Sequence, residues 1–190
     1  MRPLSPTKPS VRTEQIILFR VGPQIFALSS ASVQEVRGLD SLSGTAKNIA
    51  HPSLRKVKHF VQRGEHSLYV VNAAMHFNLP ASSPALVFVL RNTRTALLID
   101  AIEKMTSMSR LQALPQSFCH EERTWYRGLT ALDQIVVPVV NPEGFLTPDE
   151  LFLLDTSHLH TELAATGTSA IPSDSSGDDL SVNNDAGVTQ

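Results

Sequence analysis

The 190-residue chain carries 16 Lys and Arg against 18 Asp and Glu, a net charge of -2, and 42% of its residues are hydrophobic. A chain of this length can bury a substantial core, and so small a net charge provides no general basic field for nucleic acid. We therefore expect a globular protein without a nucleic-acid partner. The single cysteine, Cys119, cannot form an internal disulfide, and the start of the chain lacks the apolar run of a signal peptide. Both features favour a cytoplasmic location without direct membrane insertion.

Composition divides the chain into three parts. Residues 1–13 are rich in Pro, Ser and charge, and residues 160–190 lack aromatic side chains and carry scattered acids. Segments of this kind bury too little apolar surface to offset the entropy that is lost on ordering. We predict disordered tails at 1–13 and 160–190 on either side of a single domain at 14–159.

The domain is predicted to consist mainly of β-strands joined by tight turns. Apolar, β-branched segments that flank short turn sequences predict three hairpins, at 15–28, 58–71 and 85–99. Three more strands are predicted, which makes about nine in total and favours a barrel or sandwich. They lie at 102–108, 126–132 and 134–140. Pro138, in the last of them, is expected at a sheet edge or a bulge because it cannot donate to the ladder.

Two helices are predicted. Ser32 and Glu35 have the Ser-x-x-Glu spacing of a capping box, which predicts a short helix that ends at Gly38. The sequence Thr-Pro-Asp-Glu at 147–150 is typical of a helix start, since it combines a capping hydroxyl, a first-turn proline and acids at the positive end of the helix dipole. This C-terminal helix is expected to end near His158.

The sequence has no evident catalytic, cofactor or metal-binding pattern. His158 and His160 would point apart on a helix, and the adjacent Cys119 and His120 would not face each other as a nucleophile and its base must. No Gly-rich phosphate loop, nucleophile elbow or zinc-helix motif is present. The basic run at 55–59 is typical of a solvated strand edge. We expect no catalytic residues, no cofactor and no metal, and hence a protein that acts through its surfaces.

The opening of the domain, EQIILFRVGPQIFALSSASVQEVRG at 14–38, resembles that of the CheW family of chemotaxis coupling proteins. Similar segments follow in the family's order: VQRG with LYVVN, LVFVLRNTRTALLIDAI, YRGLTALDQIVVPVVNPEGFL and ELFLLDTS. The resemblance spans residues 14–158. It implies a mainly β fold of two small five-stranded barrel-like subdomains around a shared core, with short helices that include a C-terminal one.

The resemblance also implies a non-enzymatic adaptor. Family members couple methyl-accepting chemotaxis receptors to a CheA-type histidine kinase, so that a cytoplasmic position beside membrane receptor arrays is expected. The residues that the resemblance implies in receptor or kinase binding are Val33, Glu35, Val36, Arg37 and Arg63. A purely structural interpretation stays open, in which Glu35 is only the capping partner of Ser32 and Arg63 is a turn arginine with a local salt bridge.

The chain departs from the family pattern mainly in its first half. Asn72 stands where the family usually has Asp, and Ala73 and Ala74 replace an apolar-basic pair. Since Asn is a weaker, uncharged substitute for a carboxylate that could pair with an arginine, the partners could be altered. Two alternatives therefore stay open. One is a CheW-like interaction module of a gliding, pilus or gene-regulation pathway. The other is a small-molecule-binding β-barrel or an enzyme of unknown type, which would need a polar cluster in an apolar pocket.

Overall fold

The computed structural model describes the backbone of residues 13–42, 46–48, 54–63 and 66–166. Side chains are described for these residues except 46–48, 63 and 158–166. The chain forms two units, residues 1–154 and residues 155–190. The first unit contains every described strand, and within the second the described part is the end of the last helix.

The described residues form eleven strands and three α-helices. The strands are β1 Glu14–Val21, β2 Gln24–Ser29, β3 Val33–Gly38, β4 Ala46–Asn48, β5 Val57–Arg63, β6 His66–Asn72, β7 Leu86–Leu90, β8 Thr95–Ile99, β9 Ala101–Met108, β10 Tyr126–Leu132 and β11 Ile135–Val140. The α-helices are α1 Ala73–His76, α2 Glu122–Trp125 and α3 Pro148–Thr166. Single 3-10 turns occur at Ser30–Ser32, Leu39–Ser41 and Pro142–Gly144.

The strands form two sheets whose order does not follow the chain. The first sheet has the order β10-β11-β2-β1-β9, and the second has the order β3-β7-β8-β6-β5-β4. Strands from both ends of the domain therefore build the first sheet, while the strands between them build the second. The predicted mainly β fold with two subdomains and short helices is confirmed. The second sheet has a sixth strand, β4, which lies outside all the predicted strands.

Both sheets are apolar on both faces. In β1, Ile17 and Phe19 point into a core that lies between the sheets, and the alternate residues Ile16 and Leu18 pack in a second cluster with Val139. The second sheet has the same arrangement, with its own cluster on the face away from the shared core. Since successive strand residues point to opposite faces, a sheet that is buried on both sides requires nearly continuous apolar strands. This explains the uninterrupted apolar runs in the sequence.

The prediction of a short helix that ends at Gly38 is wrong. Only Ser30–Ser32 is helical, as a 3-10 turn, and Val33–Gly38 is strand β3, which pairs antiparallel with β7. The capping box between Ser32 and Glu35 does not form, because Glu35 instead accepts a hydrogen bond from Arg37 within the strand. The pairing with β7 provides the backbone hydrogen bonds that a local helix would otherwise supply.

The C-terminal helix begins as predicted and ends later. The N–H of Glu150 donates to Thr147 Oγ1 at 3.2 Å, and the N–H of Thr147 donates to Glu150 Oε2 at 2.9 Å, which is a reciprocal capping box. The helix continues to Thr166, past the predicted end at His158. Residues 160–166 of the predicted tail are therefore helical, while 1–12 and 167–190 lie outside the described residues. The domain limits at 14–159 stay a prediction.

Pro138 does not lie on an edge strand, because β11 lies between β10 and β2. The pairing of β11 with β2 is recorded at a single position, Val139 with Ala27, so that Pro138 is outside that ladder. Its partner in β10 is Leu129, which directly follows a register shift that ends at Gly128. Of the two predicted positions for Pro138, a sheet edge or a bulge, the structure is closer to the second.

Candidate functional site

The two sheets meet at a pair of aromatic rings. Phe19 of β1 and Phe88 of β7 are fully buried, and their ring centroids lie 5.5 Å apart in an edge-to-face arrangement. Edge-to-face pairs of this kind add stability beyond the apolar area that they bury. Residues that pair with either ring on a neighbouring strand share that ring's face of its own sheet, which is the face toward the shared core.

On the second sheet, the strand next to Phe88 is the edge strand β3. Val36 pairs with Phe88 and Val33 with Leu90, and opposed residues of an antiparallel pair share a face of the sheet. A register shift between Val33 and Glu35 adds one residue to β3, so that side chains three positions apart point the same way. Val33 is buried, but Val36 is 43% exposed. Sequence reasoning proposed both valines as binding residues, and the structure places them on one face.

On the first sheet, the strand next to Phe19 on one side is the edge strand β9. Ile102 pairs with Phe19 and Met105 with Ile17, and a register shift between these two pairs again brings residues three apart to one face. Ile102 is 36% exposed and Met105 is 65% exposed. Sequence analysis predicted this strand but missed both residues, because their spacing does not follow the simple alternation of a strand.

We call Val33, Val36, Ile102 and Met105 the seam. Each of the two strands that carry it is an edge strand with a bulge, and each presents a half-exposed apolar side chain next to one ring of the central aromatic pair. Exposed apolar groups next to a rigid core are typical of protein interaction sites, since they bury their area without reorganisation. The seam can accept apolar side chains of a partner.

Glu35 and Arg37 lie on the opposite face of β3 from the seam valines. They form an ion pair in which Arg37 Nη2 lies 2.9 Å from Glu35 Oε2, and Arg37 Nη1 also donates to the carbonyl of Ser41 at 3.2 Å. Both side chains are about one-third exposed or less. The pair ties the end of β3 to the following turn, and it leaves both residues accessible to a partner at the edge of the sheet.

Arg63 is only partly described. Its backbone ends β5 and pairs with His66 across the hairpin to β6. Its side chain, and the whole of Gly64 and Glu65, lie outside the described residues. In the sheet order, β5 is separated from β3 by β7, β8 and β6, so that Arg63 and the seam belong to different strands and stay separate predictions.

The unusual residues at 72–74 have a structural role. The side chain of Asn72 accepts a hydrogen bond from the N–H of Met75 at 3.1 Å and so caps α1. Ala73 and Ala74 are buried in the core that both sheets share. Small side chains are needed there because the helix packs directly against the sheets, and Asn provides the capping acceptor without a charge.

We expect Asn72→Ala to lower the free energy of unfolding by about 1 kcal/mol, since it removes an N-cap acceptor. Asn72→Asp should stay within about 0.5 kcal/mol of the parent protein, because a carboxylate caps equally well. Urea unfolding followed by tryptophan fluorescence measures both. Equal losses in the two variants would show that Asn72 acts by something other than capping.

α1 also carries a buried histidine, His76. Its ring is 4% exposed and lies 4.8–4.9 Å, between centroids, from the rings of Phe77, Trp125 and Phe145. Its Nε2 has no hydrogen-bond partner among the described residues. Burial, and then the nearby charge of Lys56, lower the pKa of His76 to about 3. The imidazole is therefore neutral in the folded protein at neutral pH and acts as part of an aromatic cluster.

Sequence analysis weighed Cys119, His120, His158 and His160 for catalysis or metal binding. Among the residues that the structure describes, no group of three or more His, Cys, Asp or Glu could hold a metal ion. The side chains of His158 and His160 lie outside the described residues. Cys119 is exposed, and its N–H donates to Glu122 Oε2 at 2.9 Å while its sulfur accepts from the Glu122 N–H, an arrangement that caps a short helix. Among the described residues, no helix has both the length and the apolar character to cross a membrane.

Two interleaved sheets that share one core and leave an apolar seam at their edges define a class of two-subdomain β proteins. Residues 15–150 match the family described as CheW-like domain, and the chain therefore belongs to this family. Among solved structures, the scaffolding protein TtCheW from Thermoanaerobacter tengcongensis is similar, with a TM-score of 0.55 and 11% identity over 68% of this chain and 90% of that chain. A comparison with the curated proteins gave no match.

Proposed function

We propose that this chain is a non-enzymatic adaptor that couples methyl-accepting chemotaxis receptors to a CheA-type histidine kinase, in the cytoplasm beside receptor arrays. Membership of the CheW-like family supports a scaffold role, and the similar solved structure is a scaffolding protein. The observation that carries the proposal is the seam, in which two edge strands expose the apolar side chains of Val36, Ile102 and Met105.

An adaptor must hold two partners at once. The seam residues belong to β3 and β9, whereas Arg63 ends β5, so that a partner at the seam and a partner at Arg63 need not share a strand. The seam suits an apolar segment, and a guanidinium suits a planar carboxylate. Modest affinity at each surface is sufficient, because contacts repeated in an array add avidity.

A CheW-like module of a gliding, pilus or gene-regulation pathway would use the same two surfaces with a different receptor and kinase. The residues that depart from the family pattern, Asn72, Ala73 and Ala74, do not favour this alternative, since a cap and two buried small side chains account for them. Recovery of the partners from cells distinguishes the two pathways.

The test is a pull-down with the tagged full chain from lysate of the native cells, read by mass spectrometry. We expect recovery of a CheA-type histidine kinase together with a methyl-accepting receptor. The same experiment with a seam variant, Val36→Asp, should lose one partner and keep the other. Recovery of neither class by the parent protein, under conditions in which it is folded, would contradict the proposal.

Arg63→Glu is expected to weaken binding of one partner by more than about 2 kcal/mol if Arg63 is a central contact, and by less than about 0.5 kcal/mol if it is a solvated turn residue. Calorimetry against the kinase regulatory domain and a receptor signalling-tip fragment measures the two affinities. Arg110→Glu, on an exposed arginine that lies outside the strands, is the matched control. The melting temperature of each variant is measured first, so that misfolding is not read as a lost contact.

A further inference from the structure

Three of the four methionines of the chain lie among the described residues, and they differ widely in exposure. Met105 of β9 is 65% exposed and Met75 of α1 is 38% exposed, whereas Met108 at the end of β9 is only 4% exposed. Met108 packs in the same cluster as Ile16 and Leu18. A small solute in water can therefore reach the side chain of Met105 more easily than that of Met75, and far more easily than that of Met108.

The exposure of Met105 follows from its place in the first sheet. β9 is an edge strand, so that the described strands pair with it on one side only, through β1. Met105 lies opposite Ile17, whose side chain points into the shared core. The bulge in this pairing places Ile102 on the same face. Met105 therefore continues the apolar face of β9 from the core into solvent, and it is the most exposed residue of the seam.

An exposed thioether reacts with two-electron oxidants such as hydrogen peroxide. The sulfur lone pair attacks one peroxide oxygen, an S–O bond forms as the O–O bond breaks, and the departing oxygen leaves as water with both hydrogens. The thioether is thereby oxidised to a sulfoxide, and the peroxide is reduced to water. The flexible, apolar side chain becomes a polar one with a hydrogen-bond acceptor, and methionine sulfoxide reductases reverse the change.

We propose that Met105 is a site of reversible oxidation by peroxide, and that the sulfoxide at this position weakens the binding of the partner that occupies the seam. The proposal rests on the proposed function, because it takes the seam as a partner surface. In the free protein the sulfoxide oxygen is hydrated. Against an apolar partner it must lose this water without gaining a new hydrogen bond, and burial of an unpaired polar group is costly.

Oxidation of Met105 should change binding without loss of the fold. Its side chain already faces water over most of its surface, and its strand partner Ile17 stays in the core at 6% exposure. Oxidation of Met108 would instead place a polar group in a buried cluster and destabilise the sheet. Met75 is exposed on α1, outside the seam, so that its oxidation provides an internal control.

The first test identifies the site. The full chain with Cys119→Ser is treated with hydrogen peroxide, since the exposed thiol of Cys119 would otherwise react as well. Peptide mass spectrometry follows the sulfoxide at Met75, Met105 and Met108 with time. We expect Met105 to be oxidised fastest of the three, and Met108 at least about tenfold more slowly than Met105. Oxidation of Met75 or Met108 at the rate of Met105 or faster would overturn the assignment.

The second test measures the effect on binding, by calorimetry of the same protein against a receptor signalling-tip fragment. Peroxide treatment is expected to weaken binding at least about tenfold, and methionine sulfoxide reductases should restore it. Treatment of Met105→Leu, whose own affinity is measured first, should change that affinity less than about twofold. Met75→Leu should show the full loss on treatment, because it retains Met105. A chain oxidised at Met105 that binds as tightly as the untreated chain would overturn the proposal.

Met105→Gln provides a test without an oxidant. Gln has an unbranched side chain of similar length with a polar end, so that it should weaken binding as the sulfoxide does. Met75→Gln is the matched control and should bind within about twofold of the parent protein. Failure of the proposed function has a different result, since the untreated parent chain then does not bind the receptor fragment, which would refute both. Failure of the oxidation proposal alone leaves that binding intact and insensitive to the sulfoxide.

Discussion

Ile102→Asp is expected to lose at least about 100-fold, or about 2.7 kcal/mol, of the affinity for the partner that binds the seam. Ile102 is 36% exposed and neighbours the buried ring of Phe19. A carboxylate at this position remains hydrated in the free protein, but it must lose water against an apolar partner surface, and burial of an unpaired charge is costly. Calorimetry against a receptor signalling-tip fragment measures the loss. The melting temperature should fall by only a few degrees.

Ile135→Asp is the matched control for this prediction. Ile135 is 49% exposed and begins β11, so that it has the same chemistry and a similar exposure but lies outside the seam. We expect its variant to bind within about twofold of the parent protein, because surface substitutions away from a contact change little. If Ile135→Asp abolished binding and Ile102→Asp did not, the partner surface would be the β10–β11 hairpin instead of the seam.

Acidification is expected to destabilise the protein through His76. The pKa of its imidazole is about 3 in the folded state against 6.5 for an ordinary histidine, so that the unfolded chain binds the proton more readily. The contribution of His76 to stability is therefore complete above pH 6.5, declines as pH falls, and is lost at about pH 3. The loss is about 2 kcal/mol at pH 5 and about 4–5 kcal/mol below pH 3.

Urea unfolding at pH 7.5 and pH 5 measures this effect. His76→Phe should remove most of the difference in unfolding free energy between the two pH values, since a phenyl ring fits among the neighbouring aromatic rings and does not titrate. His59, whose pKa burial also lowers, leaves a smaller residual slope. Met75→Leu, on the exposed neighbour in α1, should keep the full difference. An unchanged pH dependence in His76→Phe would show that other groups cause it.

Most of the strands could be predicted from the sequence, because each is a local apolar segment next to a turn. The start of α3 could also be predicted, since Thr147 and Glu150 form their capping box within one turn. The prediction failed at β3, where the spacing of Ser32 and Glu35 suits a helix cap and the spacing of Val33 and Val36 is compatible with the helix that would follow. In the structure a bulge gives the same spacing of the two valines to a strand, and only the pairing with the distant strand β7 distinguishes a strand from a helix here.

The candidate site was predictable only in part. The resemblance to the family indicated the two valines of β3, whereas Ile102 and Met105 become seam residues only through the pairing of β9 with β1. Sites that depend on long-range pairing leave no local signal in one sequence, whereas caps and turns do.

The interleaved strand order has a consequence for synthesis on the ribosome. The hairpin β1–β2 is apolar on both faces, but its neighbours β9 and β11 follow the entire second sheet in the chain. At about 5–20 residues per second, the hairpin waits on the order of 10 s for β9. During this interval an unpaired apolar edge is open to nascent-chain aggregation or to a chaperone. The first sheet therefore begins to emerge before the second sheet but is completed after it. A chain whose translation stops before β9 lacks the strands that complete the first sheet and cannot fold fully.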